Sequence, residues 1–272
     1  MVIKKIGIIG YGHLGEFLSV ELKNRSTQYS VEKIWNRTPI ENENVLPLTD
    51  LTEENLAGLD LVIEVAHPQI IHDYAELILK NTNLFIGSPT ALAEETTLTA
   101  IKQQLKQHPE RRVFVPAGAF WGASDIQKMA DIGTLKGLTV TMIKHPNSLK
   151  VLGDLDKLCQ RAKILNSPVV LYDGPVRHLC PLAPNNVNTM AGAAVAAHNL
   201  GFDNTRAKLI ADPGMTNWHI VEVEVTGPSG FSVKTRRENP AAPGAVTGSA
   251  TYMSFLTSII QCFYKPPGIN IC

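Results

Sequence analysis

The sequence predicts an α/β chain in two parts: a doubly wound parallel sheet, then a smaller α+β domain, with the last helix returning to the first part. Three observations carry this. The opening run 2–9 is short and β-branched, and it stops at Gly10-Tyr11-Gly12-His13-Leu14-Gly15, after which apolar residues recur at helical spacing. Strand-like and helical segments then alternate over roughly the first 115 residues. After Asp125 the pattern turns to period-two strands and a hairpin. The expected division is 1–118, rejoined by 245–272, against 119–244.

A strand, a Gly-x-Gly-x-x-Gly turn and a helix, in that order, form the Rossmann context in which the motif binds a dinucleotide. Gly10 permits the tight turn, Gly12 lets a pyrophosphate approach the backbone, and Gly15 lets the helix pack close on its strand. Free N–H groups at the helix start, from His13 and Leu14 onward, face the phosphates, where the dipole favours negative charge. The second strand is expected over 29–36. Its tip carries Asn36-Arg37-Thr38, with no carboxylate to hold the ribose 2′-hydroxyl of NAD. Arg37 can pair with the 2′-phosphate of NADP, with hydrogen bonds from Asn36 and Thr38. NADP is therefore the preferred cofactor, with NAD as the alternative.

Residues 46–56 are a connection rich in turn and helix-start residues. The run 59–66 is continuously apolar apart from its acidic residues, as in a strand buried on both faces of a parallel sheet. It ends in Ala66-His67-Pro68, and a helix follows over 69–79. His67 sits where strand C-termini face a bound cofactor, in a lining role. A strand and turn over 83–91 place Ser88 and Thr90 toward the nicotinamide side. A helix over 94–107 and a strand over 112–116 complete the alternation, and the turn 117–125 follows.

In the second half, a helix is expected over 126–132, a half-exposed strand over 136–145 and mostly helix over 149–165. A strand over 169–174, a small-residue helix over 189–200 and a strand over 207–212 come next. A hairpin pairs 219–225 with 231–236 about a Gly-Pro-Ser-Gly turn. The last helix spans 249–264. The result is a mixed sheet with one face on helices and the other free for a partner.

Composition excludes several classes. Lys+Arg and Asp+Glu balance at 25 each, which argues against nucleic-acid and membrane-surface binding. No run approaches the roughly 18 apolar residues of a membrane span. The chain enters its first strand with no signal-peptide pattern. Cys159, Cys180, Cys262 and Cys272 have no metal-type spacing, and read as reduced thiols of a cytoplasmic protein. No metal site is expected.

The ordered set of segments resembles the L-aspartate dehydrogenase family over nearly the whole chain. The segments are 8–15, 60–68, Val115-Pro116-Ala117-Gly118-Ala119, Lys144-His145-Pro146-Asn147-Ser148-Leu149, Pro184-Asn185-Asn186-Val187-Asn188, and Asp212-Pro213 followed by Asn217-Trp218-His219-Ile220. The resemblance implies oxidative deamination of L-aspartate to an imine that water converts to oxaloacetate and ammonia. Hydride would pass to NAD or NADP. It implies a Rossmann domain paired with an α+β domain that carries the substrate site and homodimer contacts. It places the catalytic histidine at His219 and cofactor contacts at Ala119 and Asn188, with Asn186 close by. One departure stands out: Ala117 replaces a serine, and Phe120-Trp121 replace slimmer residues beside the nicotinamide.

The chemistry asks for the same residue types. Hydride removal from an amine-bearing carbon needs the amine to lose a proton, and imine hydrolysis needs an activated water. One histidine could serve both steps. A dicarboxylic substrate needs cationic or amide donors, and Arg177, Lys144, His145 and the asparagines at 185, 186 and 188 are the candidates. Two other functions fit the same segments: a reductase of another small polar metabolite, and a silent NADP(H)-binding protein.

Overall fold

The computed structural model describes residues 2–38, 40, 45–241, 244–245 and 250–272. The chain divides into two compact units, Met1–Pro116 with Leu256–Asn270 and Cys272, and Ala117–Phe255 with Ile271.

The first unit is a seven-stranded sheet. Its strands are β1 (Lys4–Ile9), β2 (Tyr29–Asn36), β3 (Val45–Pro47), β4 (Leu61–Glu64), β5 (Asn83–Ile86), β6 (Arg112–Val115) and the C-terminal strand Gly268–Ile271. The order is C-terminal strand, β6, β5, β4, β1, β2, β3. The pairs from β6 to β3 are all parallel. The C-terminal strand runs in the same sense, since Gly268 and Cys272 donate N–H groups to the carbonyls of Arg111 and Val115. Chain order reverses between β4 and β1, the switch point where such sheets bind ligands beyond their strand C-termini.

Burial follows from the sequence. All four residues of β4 are buried, as a central parallel strand requires. Ile6, Ile8, Leu61, Ile63, Phe85 and Phe114 form the core, each worth about 1.5–3 kcal/mol on burial. Trp35 packs over Gly7, where a Cβ would stand 2.7 Å from the indole. Helices His13–Lys23, Pro68–Asn81, Glu95–Gln107 and Ala250–Cys262 complete the chain's longer helical elements on this side of the sequence and at its end.

The second unit holds β7 (Gly137–Lys144), β8 (Val169–Pro175), β9 (Arg206–Ala211), β10 (Trp218–Thr226) and β11 (Ser232–Pro240), in the order β11, β10, β7, β9, β8. β7 and β9 are parallel and the other neighbours antiparallel. Along β7, Leu138, Val140, Met142 and Lys144 are buried while their alternates are half-exposed. The helices Ala123–Asp131 and Asn188–Ala196 pack on each other. This is the expected α/β class: a Rossmann-type sheet plus a mixed-sheet α+β unit. Among the described residues no helix is long and apolar enough to cross a membrane.

Several element bounds differ from expectation. Helix begins at Asp154 rather than 149, because Gly153 takes a left-handed φ of +61° and the preceding segment is extended. The small-residue helix stops at Ala196, before Gly201 with φ +62° opens a separate turn. β11 continues to Pro240, four residues past the expected end, because it pairs with the whole of β10. The last helix ends at Cys262 rather than 264, and residue 249 lies outside the described residues. The edge strand β3, the helix Val176–Leu179 and the C-terminal strand were not expected.

Candidate functional site

The glycine turn lies in the first unit. Gly10 has φ +104°, and a Cβ there would stand 2.9 Å from the Ala66 Cβ. At Gly15 a Cβ would stand 2.0 Å from the Gly10 carbonyl oxygen, so helix and turn meet backbone to backbone. Gly12 is the opposite case: nothing lies within 4 Å of its Cβ position. No side chain caps the helix that His13 and Leu14 begin. Open space and uncapped N–H groups together fit a pyrophosphate.

Asn36 does not reach outward. Its Oδ1 accepts the Tyr11 N–H at 3.2 Å and its Nδ2 donates to the Thr38 carbonyl at 2.9 Å. It braces the glycine turn against the end of β2 instead of presenting its amide to a phosphate. Arg37 and Thr38 are exposed beside it. His67 caps the helix that Pro68 begins, its Nδ1 accepting the Gln69 N–H at 3.2 Å. Burial, then the charges of Arg37 and His72, hold its pKa below the ordinary value.

The sequence reading passed over Glu64, at the C-terminus of β4. Its Oε1 accepts the N–H groups of Ala66 (2.7 Å) and His67 (2.9 Å) and the Ser88 hydroxyl (3.0 Å), and its Oε2 accepts the Ser88 N–H (3.0 Å). One fully buried carboxylate thus shapes the loop that abuts Gly10. Burial pushes its pKa up to about 7, against the pull of those donors. The folded protein therefore binds more protons than the unfolded chain between the ordinary 4.5 and about 7. Stability should decline by about 3 kcal/mol at most as pH rises through that window, then level off. Glu64→Gln, which cannot ionise, should flatten the decline, as urea titrations at about pH 5 and about pH 8 would measure.

His219 lies in the second unit, on β10, and is 5% exposed. Its ring hydrogen-bonds the backbone of Ala245, and Nε2 is buried with no partner among the described residues. The network assigns the proton to Nδ1, donated to the Ala245 carbonyl, and leaves Nε2 with an unused lone pair. Burial first, then the charge of Lys144, lowers its pKa to about 4. The imidazole is neutral at pH 7, well below the near-neutral titration expected of an unperturbed histidine.

Register explains the Lys144 effect. Ile220 stands opposite Ile143, so one step further places His219 beside Lys144. Lys144 is 4% exposed, and burial lowers its pKa to about 8. On the other side, Asn239 stands opposite His219 and its Nδ2 donates to the His219 carbonyl at 3.1 Å. The turn at Gly118 is held by Arg237 Nη1 and Ser254 Oγ, each 3.1 Å from the Gly118 carbonyl.

The other expected contacts divide. Ala119 is half-buried in that turn, and Asn188 opens its helix with Oδ1 buried and without a partner among the described residues. Arg177 is engaged elsewhere, in a fork with Asp203 at 2.5 and 2.7 Å. Asn186 spends both ends of its amide on the loop above it, accepting the Lys150 N–H (2.8 Å) and donating to the Ser148 carbonyl (3.0 Å). His145 caps the turn after β7 through the Asn147 N–H. Phe120 turns into the core, while Trp121 is 63% exposed. No cluster of metal-ligating side chains occurs among the described residues.

Glu64 and Arg237 left only faint marks in the sequence. Glu64 is an acid inside an otherwise apolar run. Arg237 falls just beyond where the expected strand ended.

A family model described as the C-terminal domain of aspartate dehydrogenase matches residues 125–258, and one described as the NAD binding domain of homoserine dehydrogenase matches 10–116. An aspartate dehydrogenase domain-containing protein of Xenopus tropicalis is 45% identical, over 98% of this chain and 98% of its own. An L-aspartate dehydrogenase of Thermotoga maritima is 31% identical, over 79% of this chain and 80% of its own. A crystal structure of the aspartate dehydrogenase of Thermotoga maritima matches with a TM-score of 0.70 at 25% identity, covering 96% of this chain and 95% of that one. With a glycine turn in one unit and a buried imidazole in the other, the chain belongs to the aspartate dehydrogenase family of amino-acid dehydrogenases.

Proposed function

We infer that the chain oxidises L-aspartate to its imine, which water converts to oxaloacetate and ammonia. The observation that carries this is the His219 imidazole: neutral, fixed in one tautomer by Ala245, with a buried Nε2 lone pair that has no partner among the described residues. Nε2 takes a proton from the substrate ammonium, so the amine lone pair can form the C=N bond as hydride leaves the same carbon. Once that proton has passed to solvent, the neutral ring takes a proton from the water that adds to the iminium carbon. Serving as base and acid in turn, it then gives that proton to the nitrogen, which leaves as ammonia. The two carboxylates of the substrate, which is a net anion, raise the proton affinity of the ring from the low value of the free protein.

The fit of the glycine turn supports a dinucleotide there. Gly10, Gly12, His13, Leu14 and Gly15 would hold the pyrophosphate, Arg37 with Thr38 the adenosine end, and Ala66-His67-Pro68, Ala119 and Asn188 the nicotinamide end. When bound, the nicotinamide supplies the hydride acceptor. An exposed arginine with no carboxylate at the end of β2 favours NADP over NAD. Homodimerisation, through the sheet side where Trp218 is exposed, and a cytoplasmic location belong to the same reading.

The test is reduction of oxaloacetate by NADPH with and without ammonia. Ammonia-dependent turnover is expected; ammonia-independent turnover would favour a reductase of another polar metabolite, and tight NADPH binding with no turnover a silent binder. Arg37→Ala should weaken NADPH by roughly 10–100-fold, the worth of a charge-assisted contact, and leave NADH nearly unchanged. Equal losses in fluorescence titrations with the two cofactors would remove the NADP preference.

A further inference from the structure

Two consecutive arginines on β11 have different partners. Arg236 is exposed and pairs with Glu222 at 2.6 Å and Glu238 at 3.2 Å. Arg237 is half-buried, and its partner among the described residues is the Gly118 carbonyl rather than any carboxylate. Burial holds its pKa below the ordinary value. A guanidinium carries five N–H donors in a planar fork, and among the described residues one carbonyl takes up only part of that fork.

The register places the fork near the imidazole. Arg237 stands opposite Val221, and His219 opposite Asn239. Side chains alternate along a strand, so Val221, His219, Arg237 and Asn239 share one face. Lys144 joins that face from β7, on the far side of His219. Diagonal neighbours on adjacent strands stand roughly 7–8 Å apart, a gap that a substrate chain of a few carbons spans. The unpartnered Nε2 is therefore flanked by a cation from each neighbouring strand.

We propose that Arg237 receives a carboxylate of the substrate and selects dicarboxylic over monocarboxylic acids. The planar fork matches a carboxylate with two parallel hydrogen bonds, which an ammonium cannot copy. The naming of L-aspartate rests on the reading above; the selection of a second carboxylate is a binding property and can be measured without turnover.

The experiment is calorimetric titration of succinate and of butyrate into the NADPH-saturated protein, for the wild type, Arg237→Met and Arg237→Lys. Succinate should bind the wild type far more tightly than butyrate. The methionine variant should lose succinate affinity by about 10²-fold, with butyrate changed less than about threefold. The lysine variant, which keeps the charge without the fork, should fall between them. It carries the test alone if the methionine variant does not fold. A merely structural arginine would lower both affinities together. Equal succinate binding by wild type and variants, or no preference for succinate in the wild type, overturns the proposal. Selective succinate binding that depends on Arg237, in a protein that turns over no aspartate, would keep this role and overturn the aspartate reading instead.

Discussion

His219→Ala should lower the rate of aspartate oxidation by roughly 10²–10⁴-fold, the range for loss of a positioned acid–base, while NADPH affinity stays nearly intact. The ring contributes an Nε2 lone pair with no partner among the described residues, while Nδ1 is held by Ala245. The same substitution should alter the acid limb of stability. The unfolded chain takes up a proton on this histidine near 6.5, whereas burial and Lys144 hold the folded value near 4. Between those values the unfolded state binds more protons, so the wild type loses stability as pH falls through the window. The alanine variant should lack that component. Steady-state kinetics and urea denaturation at several acidic pH values measure both effects, and a loss of rate under tenfold would remove His219 from the chemistry.

Gly15→Ala should be nearly as damaging, by a different route. The added carbon would stand 2.0 Å from a backbone oxygen, and no flexible side chain can yield. Helix and glycine turn must separate, at a cost of about 3 kcal/mol, the upper end for overpacking. The separation also displaces the helix-start N–H groups proposed to face the phosphates, so NADPH affinity should fall with stability. Gly12→Ala is the matched control. Its Cβ position is empty and its φ of −80° suits alanine, so the free protein should keep its stability within about 0.5 kcal/mol. The methyl group would instead occupy ligand space and weaken NADPH. Denaturant midpoints and cofactor titrations on both variants separate folding from binding; parallel behaviour of the two would contradict the assigned roles.

The first sheet was legible because parallel strands buried on both faces must be written as apolar runs, and Leu61–Glu64 is one. The glycine turn added a local signal with local causes. β3 and the C-terminal strand were illegible for the converse reason: each is short, and only distant pairing makes it a strand. At the site, His219 stood out through its resemblance segment, but its low pKa depends on burial by the fold and on Lys144, seventy-five positions earlier in the chain. Arg177 looked like a carboxylate receptor until Asp203, on a separate turn, was found to occupy it. Glu64 and Arg237 matter through hydrogen bonds to Ser88 and Gly118, and no window of neighbouring residues contains those partners.

The C-terminal strand has a consequence for biosynthesis. Its outermost position beside β6 means that the sheet stays open along that side until a strand roughly 150 residues after β6 has been made. Translation at about 5–20 residues per second puts that delay on the order of ten to thirty seconds. For that interval the nascent dinucleotide fold presents the unpaired side of β6, where a chaperone could bind or a neighbouring nascent chain could pair out of turn.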